Sequence, residues 1–177
     1  MKKHNLAFID VETTGFDYEQ HEIIELGAVI VRQDETLSVL HELEYKIKPR
    51  RIETANPQAL RINGYNEADW LFASDLTQVL KDFAAKAADA TFVAHNLVFD
   101  WRFVEAAFKE ARVENPMHYG KLDTLSMAFA KLYHEPRVQS FKLESLAEFF
   151  GVKNEKAHTA LSDARATFEV YKKLLEI

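Results

Sequence analysis

Asp10 and Glu12 stand two residues apart at the end of a short apolar run, and their types suit metal or acid–base chemistry. Side chains two apart on a strand point to the same face, so both carboxylates would share a face with Phe8. Carboxylate oxygens beside a glycine-containing turn are typical ligands of a hard cation. Two acids on a solvated strand end are the alternative, which this pair alone does not exclude.

Asp100 is the third acid of interest, because it lies on the inward stripe of a predicted helix. Val104, Ala107 and Ala111 share that stripe, which directs Asp100 toward the sheet rather than toward water. A buried ionised carboxylate is costly unless it is paired or bound to a metal. A simple first-turn acid favoured by the helix dipole is the alternative explanation.

His158 and Asp163 form a weaker pattern near the end of the chain. Five residues correspond to about 140° around a helix, so the two side chains cannot share a helical face. We therefore place His158 in the turn before the last helix and Asp163 inside that helix. A lone His and Asp at this spacing often arise by chance.

The elements that must position these residues follow from hydrophobic periodicity and turn residues. Three strands that form an antiparallel meander are predicted at 6–12, 22–32 and 37–48. A looser segment punctuated by prolines follows. The later strands and helices are predicted as helix 76–88, strand 90–94, helix 97–111, strand 120–125, and helices 124–133, 143–150 and 159–175. A meander followed by alternating helices and strands predicts an α/β domain with a mixed sheet.

Composition limits the class of protein. The chain has 177 residues, which fits a single domain over residues 1–177. With no cysteine, disulfides and thiolate metal sites are excluded. No signal peptide or membrane-spanning run is present, so we expect a cytoplasmic protein with no membrane partner. A net charge of -6 argues against nucleic acid only weakly, because bound cations would reverse the field at the site.

Taken together, the motifs resemble those of the DEDDh exonucleases. That family includes the proofreading epsilon subunit of DNA polymerase III, ribonuclease T and oligoribonuclease. The segments that carry the resemblance are FIDVETTG at 8–15, HNLVFD at 95–100, HTALSD at 158–163, DTL at 123–125 and KLESL at 142–146. The resemblance implies an RNase H-like fold, with a mixed five-stranded sheet flanked by helices and metals at the sheet edge.

The resemblance also implies roles for individual residues. Asp10, Glu12, Asp100 and Asp163 would hold two Mg²⁺ ions, with Mn²⁺ as a substitute, because all the ligand atoms are oxygens. His158 would be the general base that takes a proton from the attacking water.

The substrate contacts carried over from the family are less direct. Thr13 and Thr14, with their backbone, would approach the terminal sugar. Asn96 and Phe99 would hold or stack the last base, although core packing is an equal alternative for Phe99.

The implied activity is 3′–5′ exonuclease action on single-stranded 3′ ends, releasing 5′-mononucleotides. We expect a freestanding DNA exonuclease. An RNA 3′ exonuclease of the ribonuclease T or oligoribonuclease type is the alternative. A catalytically silent nucleic-acid-binding module is a third, and the intact set of four acids and a histidine argues against it.

This sequence departs from the pattern of the proofreading subunit in two features. Asn63-Gly64-Tyr65 stands where that subunit commonly has His-Gly-Ile, so contacts from this loop are left open. The sequence ends at Ile177, directly after the last helix, and we expect no stable docking on a polymerase. A homodimer is left open, because several relatives pair.

Overall fold

The computed structural model describes residues 4–153 and 159–177. Its strands are β1 (Leu6–Thr13), β2 (Ile23–Val31), β3 (Val39–Lys46), β4 (Thr91–Ala94) and β5 (His118–Asp123). They form one sheet in the order β3-β2-β1-β4-β5. The first three pair antiparallel, whereas β4 runs parallel to both β1 and β5. The predicted mixed sheet of five strands is confirmed.

The helices lie on both faces of the sheet. They are α1 (Pro57–Ile62), α2 (Leu76–Ala87), α3 (Leu97–Ala111), α4 (Thr124–Leu132), α5 (Leu143–Phe150) and α6 (Ala160–Leu175). Helices α2 and α3 cover one face, while α6 packs on the other and joins α4 and α5 in a further apolar cluster. Within the described ranges, no helix is both long and apolar enough to cross a membrane.

The alternation of β1 decides which face receives which side chain. Ala7, Ile9 and Val11 pack in the cluster that contains α2 and α3. Phe8 faces the other way, with its ring centroid 5.0 Å from that of Phe168 on α6. The predicted assignment of β1 side chains to the two faces is confirmed. The same alternation directs Asp10 and Glu12 toward the α6 side.

Several predicted boundaries differ from the structure by one or two residues, and one helix was not predicted. The segment expected to be loose contains α1, which begins where the Asn56 side chain accepts hydrogen bonds from the backbone N–H groups of Gln58 and Ala59. Asn followed by Pro57 is a helix-start signal that the prediction did not use. Strand β5 ends at Asp123, earlier than the predicted 120–125, because the Asp123 carboxylate caps α4.

Gly27 on β2 passes directly against the start of α6. A Cβ atom at this position would lie 2.1 Å from the carbonyl carbon of Ala160 and 2.2 Å from the Leu161 nitrogen. Both atoms belong to the backbone, so they cannot rotate away as the end of a flexible side chain could. The absence of a side chain therefore sets how closely α6 approaches the sheet.

We expect Gly27→Ala to lower the free energy of unfolding by about 1–3 kcal/mol or more, because overpacking forces the backbone of α6 away. Urea unfolding measures the loss. Gly120→Ala is the control, since its Cβ would meet a side chain that can turn, the His118 ring at 3.0 Å. An equal cost at both glycines would contradict the close-approach argument.

Candidate active site

Three carboxylates converge at the end of β1. Asp10 and Glu12 come from that strand, and Asp163 comes from the first turn of α6. One oxygen from each can be chosen so that all three lie within 4.8 Å of one another. The structure therefore brings together three of the four acids that the sequence predicted as ligands.

Asp100, the fourth predicted ligand, lies beside this group rather than inside it. It belongs to the first turn of α3 and is 4% exposed, as its place on the inward stripe predicted. Its Oδ1 atom accepts a hydrogen bond of 3.1 Å from the backbone N–H of Val11. This bond holds the carboxylate against β1, between the positions of Asp10 and Glu12.

Burial and mutual repulsion raise the pKa values of Asp10, Glu12 and Asp100. Burial, followed by the charges of Asp100 and Asp163, raises the pKa of Asp10 well above its usual range. Burial and the Asp163 charge raise the pKa of Glu12 to about 8. Burial likewise raises the pKa of Asp100 to about 8, against the lowering effect of the Val11 N–H bond. A divalent cation would relieve this repulsion, so the residues present fit a metal site.

Asp123 fixes the start of the helix that carries Asp100. Its Oδ1 accepts hydrogen bonds from the backbone N–H groups of Asn96 at 3.0 Å and Leu97 at 3.3 Å. The same carboxylate caps α4 through the N–H groups of Leu125 and Ser126. Asn96 adopts the left-handed conformation, with φ 67°, which Asn tolerates better than most residues. Strand β5 thereby sets where α3 begins.

Glu25 is a buried acid that the sequence prediction missed. It lies opposite Glu12 in the β1–β2 pairing and is 5% exposed. Burial raises its pKa, while the Ala160 N–H and the Lys46 ammonium act in the opposite direction. The sequence does contain a sign of this residue, because Glu25 is the one charged residue in the apolar run Ile23–Val31.

The two threonines predicted to approach the sugar are both buried, Thr13 as the last residue of β1 and Thr14 in the turn that follows. The Thr13 hydroxyl donates to the Gly15 carbonyl oxygen at 2.6 Å. The Thr14 hydroxyl accepts from the Glu22 N–H at 2.9 Å. Asn63 donates from its side-chain amide to the Thr13 carbonyl oxygen at 2.9 Å. These side chains build the turn, and the Asn63 loop supports it from α1.

An open cleft of about 390 Å³ lies between this turn and the start of α3. Phe16 and Val98 are each 57% exposed at its walls. Phe99 is half-buried there, with its ring centroid 4.9 Å from that of Phe103. Both predicted base contacts, Asn96 and Phe99, line this cleft. Phe99 directly precedes Asp100 in the chain, so the cleft lies at the start of the helix that carries this acid.

His158, the predicted general base, lies outside the described residues. The structure groups Asp10, Glu12 and Asp163 and places Asn96 and Phe99 in the cleft, while the role of His158 stays a prediction from the sequence.

A family of exonucleases matches this chain over residues 7–171. The chain is 34% identical over 175 residues to a PolC-type DNA polymerase III of Caldanaerobacter subterraneus, covering 94% of this chain and 11% of that protein. It is 33% identical over 180 residues to ribonuclease T of Haemophilus influenzae, covering 93% of this chain and 76% of that one.

The fold is similar to that of E. coli exonuclease I in complex with a dT13 oligonucleotide. The TM-score is 0.80 at 19% identity, over 98% of this chain and 41% of that one. The chain thus spans 11% of the length of the PolC-type polymerase and about three quarters of the ribonuclease T.

We expect the stability of the metal-free protein to fall as pH rises from about 5 to about 8. In that window the folded protein keeps protons on Glu12 and Asp100, whose pKa values are raised to about 8, while the unfolded chain has released them. Protons therefore favour the folded state at lower pH, and that contribution is lost as pH approaches 8. Melting temperatures in EDTA across this range measure the effect.

Two comparisons sharpen this measurement. Glu12→Gln should flatten the pH dependence, because one titrating carboxyl is removed. Mg²⁺ or Mn²⁺ added at pH 8 should raise the melting temperature of the unaltered protein. A melting temperature in EDTA that rises from pH 6 to pH 8 would contradict the assignment of repelling carboxylates.

Proposed function

This chain belongs to the RNase T-type exonuclease family, and on that premise we propose that it is a metal-dependent 3′–5′ exonuclease releasing 5′-mononucleotides from single-stranded ends. The observation that carries the proposal is the group of three carboxylates within 4.8 Å, Asp10, Glu12 and Asp163. An open cleft lies at the start of α3, the helix that carries Asp100.

DNA is the substrate class we propose. It is supported by the similarity to a DNA polymerase and to a protein that has been seen with a dT13 oligonucleotide. The 33% identity to ribonuclease T makes RNA the second candidate.

Asp10, Glu12, Asp100 and Asp163 are the residues we propose to hold two divalent cations. Their donors are all carboxylate oxygens, which favours Mg²⁺, with Mn²⁺ as a substitute. When bound, the cations would neutralise charge on the phosphoryl oxygens, make water a better nucleophile and stabilise the leaving alkoxide. The proposal for Asp100 is supported by its buried position, which the Val11 N–H fixes beside the other three.

The protein's own groups supply positioning and proton transfer in this proposal. His158 takes a proton from the attacking water, since an imidazole near its reference pKa of about 6.5 is suited to that step at neutral pH. It stands five residues before Asp163 in the chain. Asp100 and Asp163 both occupy the first turn of a helix, which places their carboxylates near the positive end of the helix dipole.

The cleft receives the last nucleotide in this proposal. Phe16, Val98 and Phe99 offer apolar surface to a base, and the exposed Asn96 offers a polar contact beside them. Thr13 and Thr14 stabilise the turn that leads to Phe16. In this proposal they act on the terminal sugar through the backbone of that turn. A cleft of about 390 Å³ is within the size range of ligand pockets, which is compatible with binding of one terminal nucleotide.

We expect 5′-labelled single-stranded DNA with Mg²⁺ to shorten one nucleotide at a time, with slower attack on blunt duplex ends. The reason is that the terminal nucleotide must be unpaired to enter the cleft. A 3′-phosphate should block the reaction, because it adds charge and bulk where the hydroxyl belongs. Denaturing gels with matched single-stranded DNA, duplex DNA and short RNA measure these rates, and RNA degraded faster than DNA would favour the second candidate.

Three outcomes of the same assay would overturn parts of the proposal. Cutting of a circular single strand would show endonuclease action. Mononucleotides appearing first from the 5′ label would reverse the polarity. Undiminished activity in excess EDTA would remove the metal dependence.

We expect His158→Ala to lower the turnover rate by about 10²–10⁴-fold with cation affinity largely retained, as for the loss of a general base. His134→Ala is the control, since His134 is an exposed residue after α4. Turnover of the unaltered enzyme should also fall on acidification through the titration range of histidine. Loss of cation binding in His158→Ala, with an unchanged pH profile, would make His158 a ligand instead of the base.

A further inference from the structure

Glu25 connects β2 to the first turn of the helix that carries Asp163. Its Oε2 atom accepts a hydrogen bond of 3.3 Å from the backbone N–H of Ala160, the first residue of α6. The first backbone N–H groups of a helix have no partner within the helix, so an acceptor from elsewhere must satisfy them. Here a strand supplies that acceptor.

The partners of Glu25 fix its carboxylate in turn. The Lys46 ammonium on β3 lies 3.7 Å from Oε1. The same ammonium lies 3.8 Å from the centroid of the Trp70 ring, and the Trp70 indole N–H donates to the Ile24 carbonyl oxygen at 3.1 Å. A buried carboxylate that accepts a hydrogen bond on one oxygen and faces an ammonium with the other has little freedom to move.

Gly27 allows the close contact that this bond requires. It lies two residues along β2 from Glu25 on the same face, and α6 passes so near that a Cβ there would collide with Ala160. The strand thus approaches α6 at two points, one by hydrogen bond and one by the absence of a side chain. The residues of α6 that the strand contacts, Ala160 and Leu161, lie three and two residues before Asp163.

We propose that Glu25 is a positioning residue that holds the first turn of α6, and through it the Asp163 carboxylate, in register with Asp10 and Glu12. It acts through the Ala160 N–H and is not itself a ligand. The inference rests on the proposed function only in treating Asp163 as a metal ligand.

Three variants separate this role from general stability. Glu25→Met keeps the length of the side chain but removes the acceptor. Glu25→Gln keeps an oxygen that can accept from the Ala160 N–H. Glu42→Gln is the matched control, because Glu42 also reaches α6 from the sheet, pairing with Arg165 at 2.7 Å, two residues beyond Asp163.

Calorimetric titration with Mn²⁺, in the absence of nucleic acid, measures the effect on the site. We expect Glu25→Met to weaken cation affinity about 10–100-fold, the usual cost of losing a group that orients a ligand. Glu25→Gln should restore most of that affinity, and Glu42→Gln should bind as the unaltered protein does. In the nuclease assay, Glu25→Met should lower kcat with little change in KM.

Amide hydrogen exchange at Ala160 gives a second readout that stability alone would not move. In the folded protein its N–H should exchange faster in Glu25→Met than in Glu42→Gln at equal global stability. Normal cation affinity in Glu25→Met would overturn the inference, as would a Glu25→Gln variant as impaired as Glu25→Met. If the unaltered protein bound Mn²⁺ but degraded no nucleic acid, the proposed function would fail while this test still stood.

Discussion

Crowding of negative charge at the end of β1 is the constraint on which the rest of this structure depends. Asp10, Glu12 and Asp163 present oxygens within 4.8 Å of one another, and Asp100 is buried beside them. Such a group is unfavourable in the ionised form, and the raised pKa values of three of these acids express that cost. The fold must therefore hold the acids together against their repulsion, since it is this arrangement that makes the site fit for divalent cations.

The fold does so by fixing the starts of the two helices that carry acids, α3 and α6. Both helix-borne acids, Asp100 and Asp163, lie in a first turn, where exposed N–H groups and the dipole favour negative charge. Each of those turns is tied to a strand by another carboxylate, Asp123 for α3 and Glu25 for α6. The acids that we propose to bind cations and the acids that we propose to position them thus lie at the same end of the sheet, and the charges of Asp123 and Glu25 add to the repulsion on Asp100 and Glu12.

The sequence predicted the part of this arrangement that depends on local periodicity. The alternation of β1 placed Phe8 and Asp10 on one face, and the stripe of α3 placed Asp100 toward the sheet, as the structure confirms. Helix α1 was missed, although Asn56 before a proline is a local cap signal. The contact of Glu25 with Ala160 joins residues 135 positions apart, and no periodicity in either segment encodes such a pairing. Long-range caps are set by how elements pack, which a single sequence does not reveal.

A net charge of -6 is compatible with a nucleic-acid substrate once the position of the charge is considered. Much of the repulsion is concentrated at one edge of the sheet, where bound cations would convert a field that repels phosphate into one that attracts it. Affinity would then depend on the cations and on the apolar walls of the cleft, Phe16, Val98 and Phe99, more than on a basic surface. In the proposed function, binding of that kind would be centred on the chain end that fits the cleft. The same charge that disfavours binding along a strand would then favour an enzyme that acts at ends.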